Sequence, residues 1–176
     1  MTRALDGPGE VLMNQTTVGA EVARLAREIS RDYADKRLHL VGVLKSATIF
    51  VADLMRALTI PVTVDFISVV PYGEVTASGV VRIRKDLDEP IEGKDVLVVE
   101  AICASGLTLS YLLRNFQTRN PASLKVCAFL VKRRDGSAGL RPDYVGREIP
   151  DVYVVGYGLD RDEQYRNLPH IARLAN

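Results

Sequence analysis

The chain reads VLVVEAICASGLTLS from Val96 to Ser110. Four consecutive apolar residues that end at Glu100 are typical of a buried strand, and the residues after them are small enough to form a compact loop. A helix is expected to begin at about Ser105 and to continue over residues 107–116. A buried strand, a tight loop and a helix in this order indicate one unit of an α/β fold.

The rest of the chain repeats this alternation of strands and helices. Apolar residues that recur every three or four positions predict helices over residues 17–33, 47–58 and 107–116. Short apolar runs between turn-forming residues predict buried strands over residues 38–44, 62–69, 95–99, 124–131 and 152–157, and an exposed ribbon over residues 80–87. We therefore expect an α/β domain with a central, mostly parallel sheet flanked by helices, in which ligands bind at the carboxyl ends of the strands.

Length and composition narrow the class of protein. A chain of 176 residues predicts one domain, over residues 1–176, with a flexible start over residues 1–10. With 23 basic and 22 acidic residues the net charge is +1, which argues against a dedicated nucleic-acid partner. No apolar run approaches the ~20 residues of a membrane span, and the start of the chain has no apolar signal core. We expect a cytoplasmic globular protein without a membrane partner.

The loop of small residues has two interpretations on its local pattern. Free backbone N–H groups at a helix start, the hydroxyls of Ser105 and Thr108, and the close approach that Gly106 permits are typical of a phosphate-binding loop. The same pattern is typical of ordinary helix capping by Ser105. The local sequence leaves both interpretations open.

Blocks of sequence along the chain resemble one enzyme family. The blocks are LVGVLK at 40–45, VDFIS at 64–68, YG at 72–73, KDLD at 85–88, GLTLSYLL at 106–113, PDYVG at 142–146, and VVGYGLD at 154–160 running into YRNLP at 165–169. In this order and spacing they resemble the hypoxanthine-guanine phosphoribosyltransferases, which are type I phosphoribosyltransferases of purine salvage. The resemblance covers residues 10–174 and implies the type I phosphoribosyltransferase fold, with a small hood formed by the chain ends.

The resemblance also implies a reaction, its partners and a set of residue roles. The reaction is the transfer of ribose 5-phosphate from phosphoribosyl pyrophosphate (PRPP) to N9 of a 6-oxopurine with Mg²⁺, which gives IMP or GMP and pyrophosphate. The implied partners are a purine, PRPP or a nucleotide, and further copies of the chain in a homodimer or homotetramer. The implied roles are pyrophosphate binding by Leu44, Lys45 and Arg166; 5′-phosphate binding by Ser105, Gly106, Leu107 and Thr108; purine recognition by Lys132, Tyr153 and Val154; closure over the site by Pro71 and Tyr72; and Mg²⁺ binding by Asp160 and Glu100.

Three of these residues have simpler interpretations when the resemblance is set aside. Lys132 opens the basic run KRR at 132–134, which is typical of a solvated surface. Tyr153 stands between two valines, as a packed strand aromatic would. Asp160 is followed by further acidic residues and is compatible with the start of a turn.

The sequence departs from the family in the loop that begins at Glu100. The family loop normally reads Glu-Asp-Ile-Ile/Val-Asp-Thr-Gly, whereas this chain reads EAICASG at 100–106. Glu100 retains the first acid. Ala101 stands where the family's second acid helps to hold the ribose hydroxyls. Ala104 stands where the third acts as general base toward purine N7.

Two further departures fall in other ligand loops, where Ser46 replaces a glycine and Pro71 replaces a serine. Arg147 also replaces an expected aromatic residue. The loss of one general acid or base typically costs about 10²–10⁴ in rate. Three hypotheses follow. The chain is a purine phosphoribosyltransferase of reduced activity; a non-catalytic or regulatory paralogue that binds purine nucleotides; or a recruited enzyme that uses the same cleft for another reaction in a specialised pathway.

Overall fold

The computed structural model describes residues 8–71, 81–133 and 140–174. The described helices are α1 (Gln15–Asp32), α2 (Thr48–Ala57) and α3 (Leu107–Gln117). The described strands are β1 (Pro8–Met13), β2 (Leu38–Leu44), β3 (Val62–Pro71), β4 (Val81–Lys85), β5 (Asp95–Cys103), β6 (Ser123–Lys132), β7 (Tyr144–Ile149), β8 (Val154–Val155) and β9 (Ile171–Leu174). None of the helices in these ranges is long and apolar enough to cross a membrane.

The first helix shows how the sequence sets its own boundaries. Asn14 caps α1 because its side-chain oxygen accepts a hydrogen bond from the backbone N–H of Thr17 at 2.8 Å. The apolar residues that recur every three or four positions form its buried face, namely Val18, Val22, Leu25, Ala26 and Ile29. This face packs on α2 and on one side of the sheet.

The central sheet has six strands in the order β4-β3-β2-β5-β6-β7. All neighbouring strands are parallel except β3 and β4, which are antiparallel. Alternate residues of β5 point to opposite faces, so that Leu97 and Val99 pack in the core beneath α1 and α2. Val96 and Val98 pack in the core beneath α3. Burial on both faces explains why the strand is an uninterrupted apolar run.

The chain ends form a second, smaller sheet, which confirms the predicted hood. Its three strands are antiparallel in the order β1-β9-β8. Residues 8–10, which the sequence places in a flexible start, belong to β1, where Pro8 is paired with Leu174. Residues 1–7 lie outside the described ranges.

The last strand of the central sheet is not the predicted one. The sequence predicts a buried strand over residues 152–157, but only Val154 and Val155 are in a strand there, and that strand belongs to the hood. The sixth strand of the central sheet is β7 instead. It is an edge strand with exposed Arg147 and Glu148, so it lacks the apolar run that marks an inner strand. Gly146 lets it approach β6, because a Cβ there would lie 2.3 Å from the carbonyl oxygen of Phe129.

Candidate active site

The loop after β5 prepares the start of α3. Strand β5 runs to Cys103, beyond the predicted end at residue 99, and leaves only residues 104–106 to make the turn. Gly106 has a φ of 74°, which an L side chain rarely adopts, and a Cβ there would lie 3.2 Å from the Cβ of Leu140. Ser105 accepts only a long hydrogen bond, 3.4 Å from the N–H of Leu107, so it is a weak cap that leaves the N–H groups of the first turn available.

A cavity of about 140 Å³ lies at this helix start. We call it the loop cavity, and its lining residues are Glu100, Ile102, Cys103, Ala104, Ser105, Gly106, Thr108 and Leu109. Three of the four residues that the sequence assigns to phosphate binding therefore face one space. Leu107 is not among them, and its side chain is 53% exposed. Cys103 is a buried free thiol beside the same space.

A second cavity, of about 310 Å³, lies where the ends of β5 and β6 meet the hood. We call it the Lys132 cavity, and its lining residues are Ser46, Ile102, Ala104, Lys132, Tyr153, Val154, Leu159 and Asp160. It brings together all three residues that the sequence assigns to purine recognition, together with one of the two assigned to Mg²⁺.

The side chains of Lys132 and Tyr153 do not follow the simpler sequence interpretations, whereas Asp160 does accept a turn-type hydrogen bond from the N–H of Glu163 at 2.9 Å. The side chain of Lys132 is only 16% exposed, and its Nζ lies 3.0 Å from Oδ1 of Asp151, so it is not a solvated surface lysine. Tyr153 is 55% exposed rather than packed, and its hydroxyl donates a hydrogen bond to the carbonyl oxygen of Asp160 at 3.0 Å. Both side chains therefore present polar and aromatic surface to the cavity.

The two cavities share Ile102 and Ala104. The two cavities therefore adjoin each other at the end of β5. The other alanine of the loop lies in a different environment. Ala101 is 2% exposed, packs in the core beneath α1 and α2, and lines neither cavity.

Glu100 is a buried acid at the edge of the loop cavity. Its Oε1 accepts hydrogen bonds from the backbone N–H of Ala101 at 3.0 Å and from the hydroxyl of Ser46 at 3.3 Å. Burial raises the pKa of Glu100 to about 7, and the hydrogen bonds from Ala101 and Ser46 oppose that rise. The Ser46 contact is made by a residue that replaces a family glycine, so this chain ties the pyrophosphate-loop segment directly to the retained acid.

The two cations assigned to pyrophosphate binding line neither of these cavities. Lys45 follows the end of β2, after a cis peptide bond between Leu44 and Lys45. Its Nζ lies 2.9 Å from Oε1 of Glu163. Arg166 contacts the same Glu163 carboxylate at 3.2 Å and Oδ1 of Asp160 at 2.9 Å. Both cations are therefore brought together through one acidic side chain.

A larger cavity, of about 500 Å³, lies elsewhere. It is bordered by α1, α2 and residues 166–169, and its lining is mostly apolar. It contains none of the residues assigned to the purine or to the 5′-phosphate. We place the candidate site at the loop cavity and the Lys132 cavity because ligands of parallel sheets bind at the carboxyl ends of the strands.

Sequence reasoning leaves out several residues of this site. Asp151 pairs with Lys132, and Glu163 pairs with Lys45. The partners in each pair lie on separate segments of the chain, so no local sequence pattern links them. Ile102 and Leu159 contribute apolar walls that resemble any core residue in the sequence. The closing loop can be followed only in part, because β3 ends at Pro71 and Tyr72 lies outside the described residues.

Known proteins with a similar sequence and fold show the class of protein to which this chain belongs. Residues 10–162 match the family model described as the phosphoribosyl transferase domain. A crystal structure of a hypoxanthine-guanine phosphoribosyltransferase from Bacillus anthracis, with a HEPES molecule in its active site, superposes with a TM-score of 0.92. It is 41% identical in sequence and covers 96% of this chain and 100% of that chain. The fold is that of a phosphoribosyltransferase.

More specific relatives define the family. The hypoxanthine-guanine phosphoribosyltransferase of Mycobacterium avium is 49% identical over 177 residues, which span 95% of this chain and 87% of the relative. The hypoxanthine phosphoribosyltransferase of Trypanosoma cruzi, in complex with its product IMP, has a TM-score of 0.90 at 39% identity and covers 98% of this chain and 97% of that chain. This chain belongs to the hypoxanthine-guanine phosphoribosyltransferase family.

Proposed function

We propose that this chain transfers ribose 5-phosphate from PRPP to a 6-oxopurine, giving IMP or GMP and pyrophosphate, at a reduced rate. One observation supports the proposal: the loop cavity and the Lys132 cavity are neighbours that share Ile102 and Ala104 in their linings. A nucleotide has a phosphate at one end and a base at the other, which matches this pair of spaces. The relative from Trypanosoma cruzi that binds IMP supports the same ligand class.

The residues of the loop cavity suit a phosphate. The backbone N–H groups at the start of α3 and the hydroxyls of Ser105 and Thr108 are donors that converge on one space. The positive end of the helix dipole favours an anion at this position. Gly106 permits the backbone to approach the anion closely.

The residues of the Lys132 cavity suit a 6-oxopurine. The Lys132 ammonium is a donor without acceptor capacity, so it favours an oxo group over an amino group at the purine 6-position. Tyr153 offers an exposed ring on which a base can stack, and the backbone of Val154 can hydrogen-bond to the edge of that base. The Asp151 carboxylate holds Lys132 in place at 3.0 Å before any ligand arrives.

A magnesium ion fits the acids that remain. Within residues 8–71, 81–133 and 140–174, no three His, Cys, Asp or Glu side chains are grouped to hold a metal by themselves. Mg²⁺ is commonly bound by one or two carboxylates, with water and substrate phosphates as its other ligands. Asp160 and Glu100 are the residues that would hold it, and the bound ion would neutralise charge on the leaving pyrophosphate. A nearby cation would also favour the ionised form of Glu100.

Ala104 is the reason to expect a reduced rate. No side chain at this position can accept the proton of the purine, and one missing general base costs about 10²–10⁴ in rate. Charge stabilisation at the pyrophosphate and correct placement of the two substrates remain, and they supply much of the catalysis of such transfers. Slow transfer, with a proton lost to water, is the expected result.

The same alanine supports a second candidate function, a paralogue that binds purine nucleotides without transferring ribose phosphate. Binding needs the donors of the loop cavity and the surface of the Lys132 cavity, and both are present. Efficient transfer needs a proton acceptor in the site as well, and Ala104 supplies none.

Calorimetry and a sensitive turnover assay separate the two functions. GMP, IMP and Mg²⁺–PRPP are titrated into the protein, and labelled hypoxanthine or guanine is followed into nucleotide over long incubations. The proposed transferase binds all three ligands and forms labelled product above the rate without protein. Binding of GMP with no product favours the nucleotide-binding paralogue. Absence of binding to any purine nucleotide or PRPP refutes both functions.

A further inference from the structure

Glu163 contacts both cations that the family resemblance assigns to pyrophosphate. Its Oε1 lies 2.9 Å from Nζ of Lys45, and its Oε2 lies 3.2 Å from Nη2 of Arg166. One carboxylate therefore contacts two positive side chains. Lys45, one of the two, is 118 residues away from Glu163 in sequence. The side chain is 62% exposed, so it is free to leave without disturbing the core.

The backbone around Glu163 is fixed even though its side chain is exposed. The N–H of Glu163 donates to Oδ2 of Asp160 at 2.9 Å. Asp162, Glu163 and Tyr165 all have positive φ values, of 52°, 66° and 73°, so this turn has a specific and uncommon conformation. The turn holds the Cα of Glu163 so that its carboxylate reaches Lys45 on one side and Arg166 on the other.

A carboxylate and a phosphate use the same donors. Lysine and arginine form charge-assisted hydrogen bonds with oxygen atoms of either group, and arginine binds both in a forked geometry. Pyrophosphate that binds Lys45 and Arg166 therefore competes with the oxygens of Glu163 for these donors. When a ligand binds only one state of a protein, its apparent affinity equals the intrinsic affinity multiplied by the fraction of molecules in that state.

We propose that Glu163 is a built-in competitor for the pyrophosphate group, an inference that rests on the proposed function. Its carboxylate neutralises Lys45 and Arg166 in the free protein and withdraws when PRPP binds. After transfer it returns to the two cations and thereby promotes the release of pyrophosphate. Glu163 thus sets the affinity of the pyrophosphate half of the site without contacting the purine half.

The test compares Glu163→Gln with Asp162→Asn by calorimetry at one ionic strength. Both variants remove one negative charge from the same turn, but Asp162 is 75% exposed, and its ion pair among the described residues is with Arg161, at 4.0 Å. If Glu163 competes for the site, Glu163→Gln binds magnesium pyrophosphate about tenfold more tightly than the parent. Asp162→Asn changes this affinity by less than about twofold, the scale expected for an exposed charge that is screened by salt. Glu163→Ala, which leaves no acceptor at all, shifts the affinity in the same direction.

GMP binding separates this inference from the proposed function. If both variants and the parent bind GMP equally, and only the variants of Glu163 gain affinity for pyrophosphate, the competitor role is supported. Equal pyrophosphate affinity in parent and Glu163→Gln overturns it, while retained GMP binding leaves the proposed function intact. Absence of binding of both GMP and pyrophosphate to every protein overturns the proposed function and this inference together. Unchanged melting temperatures exclude a purely structural effect of Glu163.

Discussion

The two walls of the candidate site differ in what they retain. The wall formed by Lys132, Tyr153 and Asp160 has a charged or aromatic group at each position where the family resemblance places one, and the structure gathers these groups around one cavity. The facing loop keeps the phosphate-binding pattern from Ser105 to Thr108 but has Ala104 where the resemblance places a base. The groups proposed to recognise the purine and the position of the proposed general base therefore lie on different walls of the site.

This difference predicts that nucleotide binding and proton transfer depend on different residues in this protein. The donors of the loop cavity are mostly backbone N–H groups and hydroxyls, and they depend on the turn at Gly106 rather than on a single acid. Ala104, where the family resemblance places the general base, is a single exposed residue, so a substitution there is expected to leave the core intact. Substitution of a binding residue on either wall should accordingly change affinity, whereas substitution of Ala104 should change the rate.

The largest effect is expected when a carboxylate is returned to the loop. Ala104→Asp places an acid where the two cavities meet, and we expect the rate of IMP or GMP synthesis from PRPP to rise by about 10²-fold or more. Affinity for GMP should change far less than the rate. Steady-state turnover of labelled hypoxanthine, with the affinity for GMP measured in parallel, checks this expectation.

Ala101→Asp is the matched control for that substitution. Ala101 is 2% exposed and lies in the apolar core, so a carboxylate there is expected to destabilise the fold by about 1–3 kcal/mol. It should give little of the rate gain by itself. A larger gain from Ala101→Asp than from Ala104→Asp would contradict the assignment of the two alanines to different environments.

The next effect concerns the acid that the loop retains. Burial raises the pKa of Glu100 to about 7 from an unfolded value of 4.5. A raised carboxyl pKa means that the folded state holds the proton more tightly. This contribution to stability is complete below pH 4.5 and is lost as the pH rises to about 7. At about 1.4 kcal/mol per pKa unit the full loss is roughly 3 kcal/mol, and relaxation around the charged carboxylate reduces it to about 2 kcal/mol.

The unfolding free energy of Glu100→Gln minus that of the parent should therefore be about 2 kcal/mol larger at pH 8 than at pH 5. Denaturant unfolding at both pH values in metal-free buffer measures this difference. The control is Glu92→Gln, which makes the same chemical change at an exposed position. If the difference in unfolding free energy between Glu100→Gln and the parent is the same at both pH values, burial does not retain the proton on Glu100.

The sequence predicts the inner parts of this molecule better than its edges. The bounds of β2 are the predicted ones, because an apolar run between turn residues marks a strand buried on both faces. Strand β7 was missed, because Arg147 and Glu148 face solvent at the edge of the sheet and interrupt the apolar pattern. The hood needs β1 and β9 from opposite ends of the chain, and no local pattern records that pairing.

The candidate site shows the same division. The small residues and hydroxyls of residues 104–108 are a local signal, since a phosphate-binding turn is built from consecutive residues. The pairing of Lys132 with Asp151 and that of Lys45 with Glu163 are contacts between separate elements, so only the fold brings them together. The family resemblance indicates which cations bind the ligand, but it does not indicate which acidic side chains pair with them in the absence of a ligand.

A smaller effect is expected at the phosphate end of the site. Thr108→Val removes a hydroxyl from the loop cavity, and we expect affinity for GMP to fall about tenfold, or about 1.4 kcal/mol. Thr118→Val makes the same chemical change at the other end of α3, where Thr118 is exposed and its hydroxyl bonds the carbonyl oxygen of Asn115. It should leave GMP affinity unchanged. Equal losses in the two variants, or no loss at Thr108, would remove the helix start from the binding site.

The smallest effect is expected in the choice between bases. Lys132 can donate to the 6-oxygen of guanine but finds no acceptor in the 6-amino group of adenine, so the protein should bind GMP more tightly than AMP. The gain is limited because the same ammonium is already shared with Asp151 at 3.0 Å. Lys132→Met should therefore reduce the ratio of GMP to AMP affinity severalfold, about 1 kcal/mol, mainly by weakening GMP. Lys125→Met is the matched control, because Lys125 lies earlier in β6 and its ammonium stands 5.5 Å from the ring centre of Tyr144. A parent protein that prefers AMP, or a ratio that Lys132→Met leaves unchanged, would show that the intact wall of the site does not select the base.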